Sequence, residues 1–152
     1  MQPPKIYLEL MQDLIDWTAK NCPKEEVPIS AIVLDENGKE LSRCSNSRVL
    51  DNNPVGHAEI LALTKAGATK KNWRLDNCTL VVTIEPCAMC AGAILQTRIS
   101  RLVFGAYEPK TGAIRSTAEF LRQANPPVEV IGGVLSDSTS ALVADWFSKN
   151  HR

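Results

Sequence analysis

His57-Ala58-Glu59 and Cys87-Ala88-Met89-Cys90 are the residues whose types and spacing can do chemistry in this chain. One imidazole and two thiols suit zinc, and three protein ligands leave a tetrahedral ion with a fourth position open to water. Zinc lowers the pKa of such a water toward neutrality. Glu59, two residues from the histidine, is then placed to move protons, and the set reads as a hydrolytic centre. Each part has a plainer reading alone. Cys87-x-x-Cys90 can be a redox pair or half of a structural zinc knuckle, His57 a polar or capping residue, and Glu59 part of a solvated helix face. Nothing beside the pair reads as a redox-type strand and helix. Cys22, Cys44 and Cys78 are scattered singly and supply no second close pair, so they read as small packing residues.

The elements that position these residues follow from periodicity. Ile6, Leu10, Met11, Leu14 and Trp17 recur at mostly three- and four-residue steps, predicting an amphipathic helix over Lys5 to Lys20. Pro28 to Leu34 is apolar and β-branched. Asp35-Glu36-Asn37-Gly38 carries an Asn-Gly turn signal, and Lys39 to Ser45 returns as the partner strand of a hairpin. Ser47 to Gly56 is a polar loop, and His57 to Ala68 a helix. Cys78 to Ile84 is a nearly unbroken apolar run, the pattern of a strand covered on both faces. Glu85-Pro86 ends it, and Cys87 to Gln96 forms the next helix. Residues three apart share a helix face, so both sulfurs can point at one ion beside the positive end of the helix dipole. Arg101 to Gly105 reads as a strand, Ala106 to Ala113 as a loop, Ser116 to Gln123 as a helix, Val128 to Gly132 as a strand and Ser138 to Asn150 as a final helix. The fold expected is α/β, three-layered α/β/α, with a mixed five-stranded sheet.

At 152 residues, with 44% hydrophobic and 22% charged, the chain suits one globular domain, 1–152. Glu9, Asp13 and Asp16 interrupt the N-terminal segment, so no export signal or membrane span is expected, and five cysteines suit a reducing, cytoplasmic compartment. Zero net charge gives no overall drive toward nucleic acid, since phosphate contacts usually show as a basic excess. Local clusters exist at Lys65, Lys70, Lys71 and Arg74, at Arg98 and Arg101, and at Lys149, His151 and Arg152. Each can equally be a solvated helix face or end.

These residues resemble the cytidine deaminase-like superfamily and, more narrowly, the bacterial tRNA adenosine deaminases, from about Val27 to Phe147. The landmarks are Val27-Pro28, Asn46, His57-Ala58-Glu59-Ile60, Trp73-Arg74-Leu75, Thr83-Ile84-Glu85-Pro86-Cys87, Cys90-Ala91-Gly92-Ala93, Arg98-Ile99, Val103-Phe104-Gly105-Ala106 and Lys110-Thr111-Gly112-Ala113. The zinc pattern belongs to the whole superfamily, and the segment from Val103 to Ala113 is closer to the tRNA enzymes. The resemblance implies that His57, Cys87 and Cys90 ligate Zn2+ and that Glu59 is the proton shuttle. It implies substrate contacts at Asn46, Ile29, Ala58 and Phe147, while Asn46 also reads as a turn-capping asparagine after a strand, and Ile29 and Phe147 as simple core residues. Its further implications are hydrolysis of adenosine to inosine at a tRNA wobble position, the anticodon loop as partner, and a homodimer. The apolar helix from Cys87 is the candidate interface.

The chain departs from that pattern on the substrate side. Asn53-Pro54-Val55-Gly56 stands where an acidic residue, proline, threonine and alanine are usual, Ser30 where glycine is usual, and Glu108 where aspartate is frequent. The tail from Ser148 to Arg152 is less basic than an anticodon-loop binder suggests. Deamination of free nucleobases or nucleosides is the alternative reading. A zinc-stabilised, non-enzymatic partner is a third, which the presence of Glu59 disfavours.

Overall fold

A computed structural model describes residues 2–150. His151 and Arg152, part of the C-terminal basic cluster read from the sequence, lie outside the described residues. Helix α1 (Lys5–Asn21) follows Pro4, and strands β1 (Ser30–Leu34) and β2 (Glu40–Ser45) form the expected hairpin. Asp35 Oδ1 accepts the amides of Asn37 and Lys39 and fixes its turn. Helix α2 (Ala58–Lys70), strand β3 (Thr79–Ile84), helix α3 (Ala88–Thr97), strand β4 (Arg101–Ala106), strand β5 (Glu129–Ile131) and helix α4 (Ser136–Asn150) complete the order.

The sheet order is β2-β1-β3-β4-β5, with β1 antiparallel to both neighbours and β3, β4 and β5 parallel. Alternation along the strands divides the core in two. Ala31, Val33, Leu80, Val82, Leu102 and Phe104 face α2 and α3, while Ile32, Leu34, Val81 and Val103 face α1. The α4 helix shares that second face, where Val134 and Leu135 lead into it. This is the three-layer α/β/α arrangement, and β3 is covered on both sides as its apolar run requires. No helix among the described residues is long and apolar enough to cross a membrane.

Two expectations need correction. The helix predicted over Ser116 to Gln123 is absent, and the segment is a series of turns. Its amides are drawn elsewhere: those of Ile114, Arg115 and Ser116 donate to Glu85, Thr117 bonds back to Gly112, and Phe120 to Ala113. None of these makes the four-residue step an α-helix needs. On α1 the buried stripe is Tyr7, Met11, Leu14, Ile15 and Thr18, and Ile6 is exposed. Tyr7 takes the inward position because its ring covers the sheet while its hydroxyl accepts a bond from Arg101 at 2.6 Å.

The pairing also determines where a site can form. Because β1 runs against β3, the residue before β1 (Ile29) and the residue after β2 (Asn46) come to the same edge as the residues after β3 and β4. Asn46 N–H donates to the Ile29 carbonyl at 3.0 Å there. Ligands in α/β sheets gather at such carboxyl ends.

Candidate metal centre and base pocket

His57 and Cys87 are the N-cap residues of α2 and α3, both in extended backbone, and neither side chain caps its own helix. They turn toward each other. His57 Nδ1 lies 3.6 Å from Cys87 Sγ and 3.6 Å from Cys90 Sγ, and the three ligand atoms lie within 4.8 Å of one another. Tetrahedral zinc with Zn–S about 2.3 Å and Zn–N about 2.0–2.1 Å sets its nitrogen and sulfur ligands about 3.6 Å apart. The donor set and its spacing therefore fit that ion.

Of the three donors, Cys87 is the one held in its metal-binding form. Hydrogen bonds from Cys90 and His57 hold the Cys87 thiol down to about 3, against burial. The bond to Cys87 and burial push Cys90 up. His57 is raised by its bond to Cys87, against burial, with Glu59 and Cys87 adding to the rise and the Arg48 charge opposing it. Glu59 sits in the first turn of α2, 3% exposed, and burial pushes its carboxyl above the ordinary value.

His57, Glu59 and Cys87 open onto a cavity of about 320 Å³. Val27, Ile29 and Ile84, with Val143 and Phe147 of α4, supply its apolar lining. Asn46, Arg48, Glu108 and Thr111 make the polar rim. Of the residues expected at the site, His57, Glu59, Cys87, Asn46, Ile29 and Phe147 line this one cavity. Cys90 and Ala58 lie behind it, each fully buried. Asn46 Oδ1 accepts the Ala58 amide at 2.8 Å, so Ala58 N–H is already committed, and Asn46 itself lines the cavity.

Sequence reasoning missed two buried carboxylates that hold the loops around the cavity. Glu26, 2% exposed, accepts the amides of Arg48, Val49 and Leu50 at 3.0, 2.9 and 2.9 Å. Glu85, also 2% exposed, accepts those of Glu108, Ile114, Arg115 and Ser116 and the Ser116 hydroxyl. Gly112 makes room for this, since a Cβ there would strike the Glu85 carboxylate. A charge closing an apolar strand before Pro86 was the available signal for Glu85; Glu26, in a run of charged residues, gave none. Gly56 plays a similar part: its carbonyl accepts the Ser47 N–H at 2.9 Å, and a Cβ would stand 2.5 Å from the Ser47 carbonyl oxygen.

A family model described as the cytidine and deoxycytidylate deaminase zinc-binding region matches residues 5–106. The tRNA-specific adenosine deaminase of Haemophilus influenzae is 43% identical over 126 residues, covering 82% of this chain and 73% of that protein. A structure solved in studies of A-to-I editing by tRNA:A34 deaminases at the wobble position of transfer RNA shares 32% identity and a TM-score of 0.77, over 90% of this chain and 97% of that one. A protein solved in complex with 2,6-diaminopurine shares 25% identity and a TM-score of 0.84, over 95% and 82%.

Proposed function

The chain belongs to the cytidine and deoxycytidylate deaminase zinc-binding family, and on that premise we propose that it is a zinc-dependent hydrolase converting adenosine to inosine at the wobble position of tRNA. The observation that carries the reading is the convergence of His57, Cys87, Glu59 and Asn46 on one cavity of single-base size. His57 Nδ1 and the sulfurs of Cys87 and Cys90 would hold one zinc ion per chain, which would supply the Lewis acidity that lowers a water's pKa toward neutrality.

Glu59 takes one proton from the attacking water and delivers it to N1 of adenine, where it stays, and then carries the second proton of that oxygen to the departing amine. The water oxygen adds at C6, ammonia leaves, and the base becomes hypoxanthine. A buried carboxyl with a raised pKa suits both halves of this transfer. Asn46 donates its NH2 to the base while its oxygen anchors α2. Ile29 and Phe147 clamp the ring, and Ala58 acts through Asn46. An anticodon loop presents its base already unstacked, so no duplex need be opened.

The same reading includes a cytoplasmic protein working as a homodimer. Trp73, 62% exposed, and Met89, 36% exposed, lie on the α2 and α3 side of the molecule and support that side as the interface. Deamination of a free purine is a second reading, favoured by the likeness to the protein solved with 2,6-diaminopurine.

Incubation of the zinc-loaded protein with a stem-loop RNA bearing a wobble adenosine, and in parallel with free bases and nucleosides, separates the two. Inosine in the stem-loop supports the proposal. Turnover confined to free bases overturns it.

A further inference from the structure

We propose that Arg48, together with the cleft beside it, forms a phosphate subsite for the target nucleotide, making it a determinant of nucleotide over free-base substrates. The inference rests on the RNA reading above and assigns a source of its selectivity. Arg48 lines the base cavity and also an adjoining cleft of about 270 Å³; Val27 and Asn46 form the rest of the shared wall. A base seated against His57 and Glu59 must leave its ribose and phosphate at the mouth, where Arg48 stands. Among the described residues, Arg48 is the one lysine or arginine lining the base cavity.

Its guanidinium is exposed and makes no hydrogen bond or ion pair among the described residues, in contrast to Arg43, Arg74 and Arg101, which are all paired. An uncommitted guanidinium fork matches two phosphate oxygens. Its backbone, by contrast, is held. The Glu26 carboxylate takes the amides of residues 48, 49 and 50, so the side chain starts from a fixed Cα and loses less freedom on binding.

No carboxylate among the described residues pairs with Arg48. Glu26 is shared by three amides, Asp51 accepts the Ser47 hydroxyl, and Glu108 accepts the Lys110 amide. In a chain with zero net charge, one placed cation carries selectivity that bulk attraction cannot.

The test measures deamination of the wobble-adenosine stem-loop by the zinc-replete wild type, Arg48→Gln and Arg48→Lys, with matched melting temperatures confirming folding. Each RNA is also made with one uncharged methylphosphonate linkage, 5′ or 3′ to the target. Loss of a charge-assisted contact predicts a rise in KM of roughly tenfold or more for Arg48→Gln, with kcat little changed and partial rescue by lysine. One of the two methylphosphonates should weaken the wild type similarly and leave Arg48→Gln unaffected. An unchanged KM in Arg48→Gln, or methylphosphonate penalties equal in variant and wild type, overturns the subsite alone. A wild type that deaminates free bases and leaves the stem-loop intact overturns the RNA reading and the subsite together.

Discussion

Asn46 Oδ1 accepts the Ala58 N–H at 2.8 Å, so the residue that ends the β-hairpin caps the first amide of the helix carrying Glu59. That amide is one of the donors a helix N-terminus leaves unpaired. The bond leaves two jobs separable at Asn46: its oxygen anchors α2, and its NH2 is proposed to meet the substrate.

Substitution separates them. Asn46→Asp keeps the acceptor and removes the donor, so kcat/KM is expected to fall about tenfold with stability little changed. Asn46→Ala removes both, and a stability loss of about 1 kcal/mol joins the loss of activity. Steady-state kinetics with chemical denaturation measure the pair. A fully active Asn46→Asp contradicts the substrate contact.

Glu85 gives a pH dependence. Burial raises its carboxyl, but the Ser116 hydroxyl and the amides of Arg115, Ser116 and Glu108 outweigh burial and hold it below the ordinary value. A depressed folded-state pKa contributes stability above the unfolded value, near ~4.3, and loses it as pH falls through the folded value. Glu85→Gln is therefore expected to be less stable by about 2–3 kcal/mol at neutral pH. The gap should narrow below about pH 4 as the wild-type carboxylate protonates. Denaturation across that range checks the sign, and Gly112→Ala should destabilise the same loop by crowding the carboxylate.

Ser30 is fully buried, and its Oγ has no hydrogen-bond partner among the described residues. Ser30→Ala removes an unsatisfied polar atom and is expected to raise stability by about 1 kcal/mol. A lower melting temperature for the variant would show that the hydroxyl is satisfied in solution.

The strands, four of the five expected helices and the grouping of His57, Cys87 and Cys90 were legible because they rest on local signals. Apolar runs place β1 and β3, the Asn-Gly turn places the hairpin, and the His57 and Cys87 spacings name a donor set. The segment after Ala113 was not legible, because its amides answer to Glu85, whose burial depends on the parallel pairing of β3 and β4. Arg48 and Glu26 escaped for a similar reason. Each is an ordinary charged residue in sequence, and only the fold sets one at a cavity mouth and the other under its loop. The α1 stripe was placed one residue off because an aromatic with a hydroxyl took the position that Ile6 would have filled.

Glu59 is proposed to move the protons at a zinc centre built by His57, Cys87 and Cys90. The most direct test is single-turnover inosine formation in a wobble-adenosine stem-loop by wild type and Glu59→Gln, compared at equal measured zinc content. The rate is expected to fall by roughly 10² to 10⁴ with zinc binding retained. A Glu59→Gln protein that binds zinc and forms inosine at the wild-type rate would contradict the account.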